Sequence, residues 1–126
     1  MTSMRKRILV VEDDRDLRET ILAALEGEGF DVDTAANGRE ALDALETRRQ
    51  TSLILLDLRM PVMDGLEFRR RQLASPLLAS VPVVLLSGDS RGDQQASSLG
   101  FALSMKKPIG EPDLLAVVRR FCGASS

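Results

Sequence analysis

Glu12, Asp13 and Asp14 stand side by side in a chain whose net charge is only −2. A cluster of acids in a nearly neutral protein needs a reason. Short apolar runs end on polar residues at further points: Leu53–Leu56 ends on Asp57 and Val81–Leu86 ends on Ser87, and the strand-like stretch from Ala102 ends at Lys106 and Lys107. If each run is a strand of one sheet, these groups meet at one edge. Carboxylates crowded together repel one another unless something positive lies between them. A hard divalent cation with oxygen ligands suits such a place, and magnesium in particular keeps waters and adds phosphate oxygens. A lysine could neutralise an incoming phosphoryl oxygen, and a serine hydroxyl could hydrogen-bond another.

The elements that must bring these residues together can be read from periodicity. Ile8–Val11 is a continuous apolar run, as expected of a strand buried on both faces. Leu17, Ile21 and Leu25 recur every four residues and mark a helix that Gly27 and Gly29 end. In Phe30–Ala35, Phe30, Val32 and Thr34 alternate with Asp31 and Asp33, the pattern of a strand nearer the sheet edge. Asn37–Gly38 is a turn signal, and Ala41, Leu42 and Leu45 mark a second helix. Leu53–Leu56 is a third, central strand, and a loop with Pro61 and Gly65 leads to a third helix over about Leu66–Leu73. Val81–Leu86 is a fourth strand. Ser87–Ser98 is too rich in serine, glycine and polar residues for a firm fourth helix. Ala102–Lys106 reads as a fifth strand stopped by Pro108, and Leu114, Leu115, Val118 and Phe121 mark the last helix. Strands alternating with helices imply an α/β fold, a parallel sheet with helices on both faces and right-handed crossovers. Sites in such sheets form at the carboxyl ends of the strands.

Composition narrows the chemistry. The chain has 126 residues, the size of one domain, and its 44% apolar and 29% charged residues describe a globular protein. Its near-neutral balance of 17 basic and 19 acidic residues offers no electrostatic footprint for nucleic acid. Without any histidine, histidine-based catalysis and most zinc sites are excluded. The single cysteine, Cys122, cannot form an intrachain disulfide. Only Ile8–Val11 follows the basic start of the chain, too short an apolar run for a secretory leader. No apolar stretch approaches the roughly 18 residues of a membrane span.

The acids after the first strand, Asp57-Leu-Arg-Met-Pro-Val-Met-Asp-Gly65, the Ser87 hydroxyl and Lys107-Pro108 together resemble the receiver domain of two-component response regulators. The similarity runs over essentially the whole chain. It implies a doubly wound, flavodoxin-like sheet of five parallel strands in order 2-1-3-4-5. Asp57 is then the phosphoacceptor, with Ser87 and Lys107 contacting the phosphoryl group. Glu12, Asp13, Asp57 and the backbone carbonyl of Arg59 would hold Mg2+, Glu12 through a water. The Lys107–Pro108 bond would be cis. The expected partners are a sensor histidine kinase or phosphotransfer protein and an unidentified downstream protein, with no direct contact to nucleic acid or membrane. The expected domain is 1–126, ordered over about 5–122, cytoplasmic, without an output domain, and monomeric or weakly dimeric. It catalyses only its own phosphoryl transfer and acyl-phosphate hydrolysis, so it is a switch and not a turnover enzyme.

Other readings compete at particular residues. Asp14 reads as a helix cap, Lys106 as a solvent-facing residue, Asp64-Gly65 as the turn into the third helix, and Met60 and Met63 as loop packing. A degenerate receiver that binds partners without phosphate would lack a site residue, and none is missing. A phosphatase with an aspartate nucleophile after the first strand would place an aspartate where Glu12 stands. An FMN carrier would not place acids against its phosphate. Two further features bear on signalling. Ser104 occupies a position that is usually aromatic in the family. Arg59 and Asp89 sit where they could pair across the mouth of the site.

Overall fold

The computed structural model describes residues 6–47, 50–87 and 97–123. Five parallel strands, β1 (Arg7–Val11), β2 (Asp31–Ala35), β3 (Thr51–Asp57), β4 (Val83–Ser87) and β5 (Leu103–Lys106), form one sheet in the order β2-β1-β3-β4-β5. Four α-helices accompany them among the described residues: α1 (Arg15–Gly27), α2 (Gly38–Thr47), α3 (Gly65–Ala74) and α4 (Glu111–Cys122). The expected doubly wound order is the observed one. Most of the segment expected to form a weak helix after Ser87 lies outside the described residues, which resume there with a single 3-10 turn, Ser97–Leu99.

Side chains along a strand alternate between faces, and this alternation divides the core. Ile8, Val10, Leu53, Leu55, Val84 and Leu86 point to one side, where Ile21 and Leu25 of α1 and Leu114, Val118 and Cys122 of α4 cover them. Leu9, Val11, Ile54, Leu56 and Val83 point to the other, under Ala41 and Leu45 of α2 and Phe68 of α3. β1 and β3 are apolar on both faces because both are covered. The parity continues past the strand ends. Glu12 follows Ile8 and Val10, Asp57 follows Leu53 and Leu55, and Lys107 follows Leu103 and Met105, so the pleat assigns all three to the α1/α4 face.

Capping residues fix where the helices begin. Asp14 Oδ1 accepts from the amides of Asp16 and Leu17, and Asp64 Oδ1 accepts from Glu67, as N-caps do. Asn37 Oδ1 accepts from the Glu40 amide while Glu40 Oε1 accepts from Ala36, so the expected turn at Asn37–Gly38 is a reciprocal cap of α2. β4 begins two residues later than the apolar run suggested: Pro82 lacks an N–H and only its carbonyl is used, by Ile54. Just before and within β2, Phe30 and Val32 pack inward as expected, whereas Thr34 is exposed and Asp33 pairs with Arg7 at 3.2 Å.

α3 carries a feature its sequence conceals. Arg69 and Gln72 are buried. Arg69 donates to the carbonyls of Leu99 at 2.9 Å and Gly100 at 3.0 Å and to Gln72 Oε1 at 2.6 Å. Its guanidinium stacks 5.4 Å from the Phe101 ring centre. Gln72 in turn donates to the carbonyls of Leu78 and Val81. Carbonyl dipoles thus compensate the buried charge, and α3 is tied to the segments preceding β4 and β5.

Two glycines permit the close approaches that set the loop after β3. The Gly65 amide donates to Leu58 at 2.8 Å, and a Cβ there would stand 2.4 Å from the Asp57 carbonyl oxygen and 2.8 Å from Leu58 Cα. A Cβ on Gly38 would lie 2.8 Å from the Met63 carbonyl oxygen, to which its own amide donates. Gly65→Ala must push backbone apart at the residue that ends β3, at a cost of about 1–3 kcal/mol. A urea titration should show that loss as a lower midpoint with an unchanged slope; an unchanged midpoint would show that the loop gives way freely.

Candidate functional site

The site is built from strand ends. Glu12 extends the β1 ladder by one bond, its amide donating to Ala35 at 3.0 Å, and its side chain is almost fully buried. Asp57 closes β3 and is also buried, whereas Asp13 is exposed at the mouth. Each of the three acids offers an oxygen within 4.8 Å of the others. Lys107 reaches in from the end of β5: its Nζ donates to Glu12 Oε1 at 2.6 Å and to Asp57 Oδ1 at 3.2 Å. The Lys107–Pro108 bond is cis. The Lys107 amide also donates to the carbonyl of Ser87 at 2.7 Å, so Ser87, buried at the end of β4, adjoins the lysine through the backbone.

Electrostatics follow from that crowding. Burial pushes the Glu12 and Asp57 carboxyls above their ordinary values. Lys107 opposes the rise at both, and the Asp14 amide opposes it at Glu12. The charge of Asp57 adds to the rise at Glu12, as that of Asp13 does at Asp57. Burial would lower Lys107, but the Glu12 hydrogen bond and the charges of Asp57 and Glu12 outweigh it, so its amine is held above its usual value. Three carboxylates and one ammonium sum to −3 + 1 = −2. An all-oxygen donor set with that residual charge fits a hard divalent cation, which would bring it to zero.

Glu12, Asp13, Asp57 and Lys107 therefore come together as their positions in the sequence predict. Arg59 is exposed in the loop leaving Asp57, Ser104 and Lys106 are exposed on β5, and Asp89 lies outside the described residues. Met60 and Met63 pack on the α2/α3 core, as loop residues should. Sequence reasoning missed Arg18, whose Nη1 donates to the carbonyl of Glu12 at 2.8 Å. Nothing in its type or spacing separates it from Arg15, which pairs outward with Glu19.

The sequence profile of the response regulator receiver domain matches residues 8–119. An uncharacterized 14.6 kDa protein of Leptolyngbya boryana is 36% identical over 91% of this chain and 88% of its own length. The DNA-binding response regulator MtrA of Mycobacterium tuberculosis is 37% identical over 94% of this chain, which spans 51% of MtrA. Among solved structures, the receiver domain of the sensor histidine kinase PA1611 from Pseudomonas aeruginosa superposes with a TM-score of 0.87 at 29% identity, covering 96% of this chain and 100% of that one. That domain holds a magnesium ion in its active-site cleft. The chain belongs to the response regulator receiver domain family. It is a receiver domain of two-component signal transduction, and receiver domains are phosphorylated switches rather than classical enzymes. Among the described residues no helix is long and apolar enough to cross a membrane.

The raised carboxyls carry a signed consequence for stability. A carboxyl whose folded pKa exceeds its unfolded one adds stability below the unfolded value and loses it as pH rises through the folded value. In chelator-treated protein at neutral pH, the ionised Asp57 therefore opposes folding. Asp57→Asn should raise the urea midpoint at pH 7, with the advantage shrinking as pH falls through the carboxylate range. A variant less stable than wild type at pH 7 would contradict the sign.

Proposed function

We propose that Asp57 accepts a phosphoryl group from the phosphohistidine of a partner kinase or phosphotransfer protein, or from a small phosphodonor, with Mg2+ bound by Glu12, Asp13 and Asp57. The observation that carries this reading is the Lys107 amine shared between Glu12 and Asp57, with the Asp13 carboxylate oxygen within 4.8 Å of theirs. An Asp57 oxygen attacks phosphorus, the bond from phosphorus to the donor nitrogen breaks with its electron pair going to nitrogen, and the imidazole leaves neutral, keeping the proton on its other nitrogen. The cation supplies charge neutralisation when bound. Lys107 supplies a second positive charge at the acceptor, and Ser87 a hydroxyl donor to a phosphoryl oxygen, so catalysis is positioning plus electrostatic stabilisation. Water later attacks phosphorus, releasing phosphate and restoring the Asp57 carboxylate. The Arg59 backbone carbonyl would supply a further oxygen ligand. Phosphorylation shifts a two-state equilibrium that an unidentified protein partner reads, without direct contact to nucleic acid. The domain works in the cytoplasm as a monomer or weak dimer.

Beryllium fluoride, a phosphoryl mimic, should bind the wild-type protein only when Mg2+ is present. A small phosphodonor should add one phosphoryl mass to wild type and none to Asp57→Asn. Equal labelling of the two proteins would remove Asp57 from the acceptor role. Binding of the mimic in excess chelator would remove the cation.

A further inference from the structure

We propose that Arg18 is a positioning residue for the cation site, gripping the backbone of the acidic loop so that Asp13 is held in register with Glu12 and Asp57. This rests on the reading that those three carboxylates hold Mg2+. Glu12 is fixed by Lys107 at 2.6 Å and by the Asp14 amide at 3.2 Å, and Asp57 by Lys107 at 3.2 Å. Asp13 is different. It is exposed, and among the described residues its carboxylate has no hydrogen-bond partner. Its direction is set only by the backbone of the loop between β1 and α1.

That backbone is what Arg18 holds. Its Nη1 donates to the Glu12 carbonyl at 2.8 Å and, at the long distance of 3.5 Å, to the Asp13 carbonyl. Its own amide donates to the Asp14 carbonyl at 2.9 Å as the first bonds of α1 form. No carboxylate among the described residues meets its guanidinium. The side chain is half-buried against the loop rather than reaching for an acid on its own helix, as Arg15 does.

Two effects of opposite sign compete. A positive charge this near the site repels an incoming cation, but at the open mouth where Asp13 is exposed that repulsion is screened by salt and amounts to roughly a few-fold in affinity. Groups that orient metal ligands from behind are worth about 10–100-fold in metal affinity. Positioning therefore wins, and removing the guanidinium weakens binding even though it removes a repulsive charge.

The full chain can be titrated with Mg2+ alone, following the Asp13 and Asp57 amide resonances. Arg18→Met, which keeps the aliphatic stem, should raise the Kd about 10–100-fold. Arg18→Lys, which keeps the charge and a single donor, should fall between the two. In metal-free Arg18→Met the amide of Asp14, which donates to Glu12 Oε2, should exchange faster, while those of Ile21 and Leu25 do not. With a small phosphodonor, the Mg2+ concentration giving half-maximal labelling should rise while the rate at saturating Mg2+ returns near wild type. A Kd that is unchanged or lower in a folded Arg18→Met overturns the proposal. So does unchanged or slower exchange at Asp14. Wild-type protein that takes up no Mg2+ overturns the cation reading and this one with it, whereas wild-type uptake with no change on substitution overturns only the role of Arg18.

Discussion

Lys107 reaches from the end of β5 across the end of β3 to Glu12 beyond β1, and its amine is shared by two buried carboxylates. Much of the carboxyl edge of the sheet depends on that contact. Without a cation between them, Glu12 and Asp57 would face each other's charge in a poorly solvated corner. The lysine removes only part of the problem: the carboxyls remain above their ordinary values, and the group as a whole keeps two negative charges. A site left short of positive charge in this way suits a divalent cation, the group that the proposed phosphoryl transfer calls for. The residues whose burial opposes ionisation are the ones to which the proposed chemistry is assigned.

The rest of the architecture keeps those atoms in place. Parity along the strands sends Glu12, Asp57 and Lys107 to one face, while apolar neighbours on β1, β3 and β4 seal the sheet below them. The loop leaving Asp57 is pinned at Gly65 to Leu58 and at Met63 to Gly38. It also contains Val62 at φ 70, a left-handed conformation that costs a β-branched residue about 1–3 kcal/mol. The loop accepts that cost because both of its ends are hydrogen-bonded. Behind it, Phe101 packs with Leu58, Leu66 and Leu85, and Arg69 lies over its ring. The side chain immediately after Asp57 is thereby in contact with the turn that leads into β5.

The sheet and the site were legible because both follow from local patterns. Ile8–Val11 and Leu53–Leu56 are apolar without interruption, so they had to be central strands, and the first polar residue after each run fell at the carboxyl edge. The roles of Asp14 and Asp64 at helix starts were visible for the same reason, since capping is a short-range interaction. What escaped depends on distant backbone. The run Arg69-Arg70-Arg71-Gln72 looks solvent-facing throughout, and which members turn inward is decided by carbonyls some thirty residues later at Leu99 and Gly100 and by the turn at Leu78 and Val81. Arg18 was hidden likewise, because its acceptors are main-chain carbonyls that any sequence would supply. Ser104, by contrast, brings no ring and stands exposed on β5; the ring that packs against the Leu58 cluster is that of Phe101.

In the proposed function, the carboxylate at the end of β3 is the one that forms an acyl phosphate. Treating the protein with a small phosphodonor in Mg2+, reducing it with borohydride and mapping the product by peptide mass spectrometry locates that bond directly, because an acyl phosphate is reduced to an alcohol where an ordinary carboxylate is not. Homoserine is expected at position 57 alone, and none when Mg2+ is chelated. Reduction at Asp13, or no reduced residue in the presence of Mg2+, would contradict it.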